Sequence, residues 1–275
     1  MPSRQSKNSQ EALSPQTGQN SPMVALDFAW EVLDKLDGWV NELARPLLPP
    51  KRIPVGDRYL RLEFRHHLPP SVMIGKLVRA VSALRAARSL AQSGYITESG
   101  SLLRMVSDFC TEIQAIGESV HGDGTLPKAV QEFVNQYFQP RALTADEYDK
   151  AEKVRYVSRE ELMKADVRRA AAAGIDGEDM RKQHRYVNMA YDSYVHGAYE
   201  TTMELYDPRT EIFQMRGHQD MAVRDEHEEA VALKLVEVVS AIEVTAAVAG
   251  AASVFEGARE SRRAMMTRAP WKLES

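Results

Sequence analysis

Apolar side chains recur at helical spacing along most of the 275-residue chain, and proline or glycine separates the segments. Between Val24 and Leu43 the apolar positions lie three or four residues apart, which predicts a first helix. A second helix is predicted from Pro69 to about Gln92, because proline suits the first turn of a helix. The pattern continues through Leu102–Ile116, whereas strand-like alternation is limited to Glu211–Met215. The chain is therefore predicted to be all-α.

Two long helices are predicted in the C-terminal part of the chain. Asp176 is a good N-cap for a helix that contains His196 and ends at Asp207-Pro208. A final helix is predicted from about Arg224 to Arg263. Its apolar seam steps by four and three residues through Val231, Leu235, Val238, Ile242, Thr245, Ala249 and Ala252. We expect this helix to pack deep in a multi-helix bundle, with a homodimer contact as a lesser alternative.

Two polar segments of the chain, residues 1–22 and 141–178, define the expected domain organisation. Residues 1–22 are rich in Ser, Gln, Asn and Pro, and we expect a disordered N-terminal tail. Residues 23–275 are predicted to form a single helical domain. Within it, residues 141–178 are more charged than their surroundings and are predicted to form a peripheral helical insertion.

Composition excludes several classes of function. The net charge is −4, so no overall field favours nucleic acid or an anionic membrane. The single cysteine, Cys110, excludes an intramolecular disulfide framework and suits a reducing cytoplasm, where we expect the protein to be located. The most membrane-like stretch, Leu233–Phe255, is interrupted by Glu237 and Glu243, so we predict a core helix and no membrane partner.

Motifs for cofactors and metals are also missing from the sequence. There is no phosphate-binding glycine loop and no nucleophile elbow, so no cofactor is predicted. The Glu-x-x-His pair of carboxylate-bridged helical metal sites does not occur, and His227 in DEHEE is interpreted as part of a solvated helix start. No metal site is therefore predicted.

The candidate chemistry centres on His196. Asp192 lies one helical turn before it and Tyr199 follows it closely, so these three side chains can form a local polar group. A carboxylate beside an imidazole can support general acid or base catalysis. The alternative is a packed histidine that Asp192 holds in place. We expect the second: a mostly buried His196 with a structural role.

A second candidate constellation lies in LLRMVSDFCTEI, residues 102–113. Arg104 and Asp108 are one turn apart on a face that also carries Leu102 and Val106. Either they form a surface pair, or Arg104 is partly buried and faces the helix of His196.

Further upstream, no acidic residue occurs between Glu63 and Glu98. The basic side chains of this segment do not line up along one face of a helix, and we expect them to be solvated or paired within the protein.

Three short runs carry a resemblance to known proteins: YVHGAYETTMELYD, FQMRGH and DEHEE, followed by a long apolar helix. Together they resemble a bacterial all-helical family of uncharacterised function. More distantly, the Tyr-Val-His-Gly run at residues 194–197 is similar to HEPN-like proteins, which include abortive-infection factors and ribonuclease toxins. The closer resemblance covers roughly Val157 to Gly250.

The resemblance implies two alternative functions. One is a HEPN-like interaction module in stress or phage response, without catalysis of its own, which binds a protein partner or a second copy. The other is a metal-independent ribonuclease acting on RNA. The HEPN ribonuclease pattern implies an Arg shortly before the catalytic His, whereas Arg185 lies about 16 Å from His196 along a helix axis. An Arg from another helix, Arg104, would therefore have to act with His196, Asp192 and Tyr199.

Overall fold

Helices account for most of the chain that the structure describes. The structure is a computed structural model that describes residues 22–47, 49–55, 59–121, 128–138, 164, 167, 171, 174 and 176–268. The helices are α1 (Pro22–Ala44), α2 (Pro69–Gln92), α3 (Ile96–His121), α4 (Lys128–Tyr137), α5 (Gly177–His196), α6 (Tyr199–Met203), α7 (Met221–Ala249) and α8 (Ala252–Arg268). The strands are β1 (Lys51–Val55), β2 (Tyr59–Glu63), β3 (Tyr206–Asp207) and β4 (Ile212–Phe213). The predicted all-α class is confirmed.

The long helix α7 lies at the centre of the bundle. It packs against α1, α2, α3 and α8, while α2 and α3 also pack against each other. The predicted seam of α7 faces this core, since its members from Val231 to Thr245 are buried. The largest fully buried side chains on the neighbouring helices are Leu33, Leu36, Leu43, Met73, Leu77, Leu84, Ile96, Leu103, Ile113 and Ile116. The expectation of a long C-terminal core helix is confirmed.

The predicted final helix is interrupted near its middle. It was expected to run from about Arg224 to Arg263, but α7 ends at Ala249 and α8 begins at Ala252. Gly250 caps α7 in the left-handed conformation, with φ +68°. The chain then reverses, and α8 packs back on α7. The end of the expected seam is accordingly less buried, with Ala249 partly and Ala252 largely exposed.

Two short antiparallel hairpins join the helices. β1 pairs with β2 so that Lys51 lies opposite Glu63, a pairing that the proline-rich sequence did not predict. Pro54 is tolerated because β1 has a partner on one side only. β4 falls within the short strand expected at Glu211–Met215 and pairs with β3. Neither hairpin changes the fold class.

Two of the expectations concern parts of the chain outside the described residues. The disordered tail predicted for residues 1–22 falls there, apart from Pro22, which begins α1. The charged insertion predicted for residues 141–178 also falls largely there. Its described end contains Asp176, which caps α5 as expected. Both expectations stay predictions.

Replacing Ala246 with Leu should lower the free energy of unfolding by about 1–3 kcal/mol, because the larger side chain overpacks the core. Ala246 is fully buried on α7. Ala222 lies exposed at the start of the same helix, so Ala222→Leu is the matched control and should stay within about 0.5 kcal/mol of wild type. Urea denaturation of both variants measures the difference. Equal stability of the two variants would contradict the central position of α7.

Candidate functional site

The helix that carries the predicted site residues is capped at both ends. The Asp176 carboxylate accepts a hydrogen bond from the Glu178 amide at 2.7 Å, which satisfies one free donor at the start of α5. Gly197 ends the helix in the left-handed conformation, with φ +60°. The helix was expected to continue to Asp207-Pro208, and this expectation is wrong. Gly197 has open space where a Cβ would be, so it marks a helix end and not a close helix contact.

His196 lies exposed in the last turn of α5, and the expectation of a buried histidine is wrong. Tyr199 is also outside the protein interior, with 78% of its surface exposed. The physical reason is the end of the helix at Gly197: the chain turns away there, so Tyr199 does not cover His196. The Asp192 carboxylate, expected to hold His196 in place, binds Arg104.

Arg104 is buried between two carboxylates. It is 8% exposed, and its Nη1 lies 2.5 Å from Asp108 Oδ1 on its own helix. Its Nε donates to Asp192 Oδ1 on α5, also at 2.5 Å. Burial disfavours the charge of Arg104, but the hydrogen bonds that it donates to Asp108 and Asp192 outweigh burial and raise the pKa of the guanidinium. Of the four predicted site residues, the structure thus brings Arg104 and Asp192 into contact and leaves His196 and Tyr199 outside this contact.

A second polar group joins α5, α6 and α7. The Tyr194 hydroxyl donates to Glu204 Oε1 at 3.1 Å. On the other side of this carboxylate, His227 Nε2 lies 3.9 Å from Glu204 Oε2, which is too long for a hydrogen bond. The rings of Tyr194 and His227 meet edge to face with centroids 6.0 Å apart. Tyr194 can lie this close to α3 because Gly100 faces its ring: a Cβ there would be 2.5 Å from Tyr194 Cγ.

The environment shifts the proton affinities of this second group. Burial raises the pKa of Glu204, and the nearby Glu226 adds to the shift. Burial lowers the pKa of His227, and His218 adds to that shift while Glu226 opposes it. Burial and the Glu204 carboxylate raise the pKa of Tyr194. Both Glu204 and His227 are therefore shifted toward their neutral forms.

A buried lysine completes the contact between α5 and α7. Lys234 is 2% exposed, and its Nζ lies 4.7 Å from the centre of the Tyr191 ring. The same Nζ is 2.5 Å from Glu237 Oε1. The other oxygen of Glu237 accepts a hydrogen bond from Ser107 on α3. The end of α5 is therefore held by a cation–aromatic contact as well as by the Arg104 ion pairs.

Sequence analysis missed Glu204, Lys234 and the burial of His227. His227 was interpreted as part of a solvated helix start, but its side chain is 12% exposed. A helical projection from Val231 could have placed His227 one turn earlier, near the buried seam. No comparable pattern in the sequence pointed to Glu204, whose position depends on the turn at Gly197.

Three of the four basic side chains of α2 contact other parts of the protein, and the fourth, Arg79, is exposed. Lys76 pairs with Glu112 at 2.7 Å, and Arg85 donates to the Leu33 carbonyl at 3.0 Å. The Arg88 guanidinium stacks over a Trp30 ring, 4.0 Å from its centre. Lys76, Arg85 and Arg88 therefore do not form an open phosphate-binding surface.

Comparison with known proteins yields no match to any family model, curated protein or solved structure. Among the described residues, no group of three or more His, Cys, Asp or Glu side chains could hold a metal ion. None of the described helices is both long enough and apolar enough to span a membrane.

Replacing Arg104 with Ala should lower the free energy of unfolding by about 1–3 kcal/mol, because it leaves Asp108 and Asp192 without their shared donor. Arg104→Lys should recover part of the loss, since one ammonium cannot match both contacts of the planar guanidinium. Thermal and urea unfolding measure both variants. Wild-type stability in Arg104→Ala would contradict the anchoring role.

The lowered pKa of His227 predicts a pH-dependent contribution to stability. The His227 imidazole binds a proton less readily in the folded protein than in the unfolded chain, so its protonation favours unfolding. The stability that neutral His227 contributes is therefore fully present above about pH 6.5 and declines as the pH falls below it. His227→Gln should therefore flatten the stability profile between about pH 7 and 5. Urea midpoints across this range measure the slope, with His196→Gln, at an exposed position, as the control. Parallel wild-type and His227→Gln profiles would contradict the prediction.

Proposed function

We propose that the chain is a HEPN-like helical interaction module that binds a protein partner in bacterial stress or phage response, without catalysis of its own. The observation that carries the proposal is an exposed face of α5, here named the α5 stripe. It consists of the exposed residues Asp179, Lys182, Tyr186, Met189 and His196 and the half-buried Ser193. Tyr186 is 70% and Met189 65% exposed. An amphipathic helix in a bundle normally turns such side chains to the core, so their exposure favours a partner.

The state of Arg104 supports the non-catalytic proposal over the ribonuclease alternative. A ribonuclease of the HEPN pattern needs a cation that can hold the scissile phosphate beside the histidine. Arg104 is buried, and two of its three guanidinium nitrogens already lie 2.5 Å from carboxylate oxygens. Freeing it would break its ion pairs with Asp108 and Asp192, at a cost that a phosphate would have to offset.

The experiment that tests the proposal has two arms. In the first, purified wild-type and His196→Ala proteins are incubated with total RNA. We expect neither to cleave it, and we expect the two to melt alike because His196 is exposed. Cleavage by the wild type that is lost in an equally stable His196→Ala protein would favour the ribonuclease alternative.

In the second arm, the tagged chain is expressed in a bacterial host and its co-purifying proteins are compared with those of two variants. The double variant Tyr186→Ser with Met189→Ser should lose a specific partner. The control Met266→Ser alters an equally exposed side chain, 61% exposed, on α8 and should retain it. Retention by all three proteins would overturn the assignment of the interaction to the α5 stripe.

A further inference from the structure

The β1–β2 hairpin lies in a positively charged segment of a chain that is negative overall. Residues 45–67 contain six Lys or Arg side chains against two Asp or Glu, a net charge of +4, whereas the whole chain has a net charge of −4. The two strands, Lys51–Val55 and Tyr59–Glu63, are here named the basic ribbon. A local charge asymmetry of this kind indicates an anionic partner, whatever the sign of the total charge.

The basic ribbon stands out from the helical bundle. Its two strands pair with each other over five residues each, and neither packs extensively on any of the described helices. Arg52 and Pro54 are exposed, and so is Leu62, with 65% of its surface accessible. A hairpin that adds little to the core is not explained by the stability of the bundle, because a lone two-stranded hairpin is itself only marginally stable.

Contacts at the base attach the basic ribbon to the rest of the protein. Arg65 Nε donates to the Pro49 carbonyl at 3.1 Å, which joins the chain just before β1 to the chain just after β2. The His67 ring stacks on Phe138, directly after α4, with a centroid distance of 4.2 Å and an interplanar angle of 6°. The ribbon is therefore held at its base while its strands stay accessible to a partner.

The cations of this segment are available to such a partner. Lys51, Arg52 and Arg65 are exposed, and none of them forms an ion pair with any side chain that the structure describes. Arg65 engages its Nε at the base, so its terminal nitrogens remain as donors. By contrast, Lys76 and Arg85 of α2 are paired with carboxylates.

The register of the strands defines which face of the basic ribbon points outward. Residues opposite each other across the pair share a face, and successive residues alternate between the two faces. Arg52 lies opposite Leu62 and shares its face with Pro54, whereas Lys51 and Ile53 belong to the other face. Ile53 is half-buried, while Arg52, Pro54 and Leu62 are all exposed. The outward face therefore combines a guanidinium with apolar side chains.

We propose that the basic ribbon binds in the major groove of B-form DNA. This groove is about 12 Å wide and about 8.5 Å deep, and it admits a two-stranded β-ribbon. Paired strands lie about 4.8 Å apart and five residues extend about 17 Å, so the ribbon fits within the width of the groove. This inference goes beyond the proposed protein interaction and uses a different surface.

The groups of the basic ribbon match the two kinds of contact that DNA offers. Arg52 on the outward face can donate to the O6 and N7 atoms of a guanine, and Leu62 opposite it can contact a thymine methyl group. Lys51 and Arg65, at the base, are placed for phosphates. An RNA duplex offers no equivalent site, because its major groove is deep and too narrow for side chains to read.

The number of phosphate contacts determines the expected dependence on salt. About two contacts, from Lys51 and Arg65, give a slope of about −1.8 for the logarithm of affinity against the logarithm of salt concentration. Binding should therefore weaken roughly tenfold between about 50 and about 200 mM salt. The negative charge of the rest of the chain opposes the approach of DNA, so binding is best measured at low salt.

Fluorescence anisotropy of a short labelled DNA duplex, titrated with the full chain at low salt, tests the proposal. The wild type should bind, whereas Lys51→Gln with Arg52→Gln should weaken binding at least tenfold and lower the salt slope by about one, the phosphate contact of Lys51. The control, Arg216→Gln with Arg263→Gln, removes two exposed arginines elsewhere and should bind like wild type. All four positions are exposed, so both variants should melt like wild type.

Competition separates the DNA groove from other polyanions. An RNA duplex of the same sequence and vesicles of anionic phospholipid, each at the same phosphate concentration as unlabelled DNA, should displace the labelled DNA at least tenfold less effectively. Equal competition by either one would overturn the assignment to the major groove. A wild type that does not bind DNA at low salt, or a Lys51→Gln, Arg52→Gln variant that binds like wild type, would overturn the proposal.

Failure of this proposal and failure of the proposed function are distinguishable. The Tyr186→Ser, Met189→Ser variant alters the α5 stripe and leaves the basic ribbon unchanged, so it should bind DNA like wild type. The Lys51→Gln, Arg52→Gln variant should in turn retain the protein partner of the α5 stripe. Loss of DNA binding in the Tyr186→Ser, Met189→Ser variant would overturn the assignment of DNA to the ribbon.

Discussion

The placement of α5 on the bundle depends on the burial of one cation, Arg104. A guanidinium leaves water at a large cost, and this cost is offset only when carboxylates meet its donors in good geometry. Asp108 is supplied by the same helix and is available before the fold forms. Asp192 arrives only when α5 packs on α3. Burial of Arg104 and attachment of α5 are therefore coupled.

This constraint divides α5 into two functional sides. The side that faces α3 and α7 holds Tyr191, Asp192 and Tyr194, which contact Lys234, Arg104 and Glu204 respectively. The opposite side keeps its apolar members exposed. Because the anchoring contacts restrict how α5 can move, the exposed side is a preorganised surface, and a partner need not order it on binding. In the proposed interaction, the buried arginine contributes through the position of α5 alone.

Local signals in the sequence were sufficient for most of the helical framework. Pro69 at the start of α2, Asp176 at the start of α5 and the seam from Val231 to Thr245 act within a few residues of themselves. Caps and apolar periodicity operate over one or two turns, so they can be recognised without knowing the fold. The same sequence also identified Arg104 and Asp192 as candidate residues, but left open whether their helices meet.

Only the tertiary structure decided how the candidate residues are used. Arg104 and Asp192 are 88 residues apart, and their contact follows from the packing of α3 on α5. The turn at Gly197 exposes His196 and brings Glu204 back toward Tyr194 and His227, which reverses the roles expected for the two histidines. Periodicity by itself defines the faces of a helix, but which face is covered depends on neighbours that are distant in sequence. The sequence therefore determined the helices and their charges, and packing decided which charges are buried.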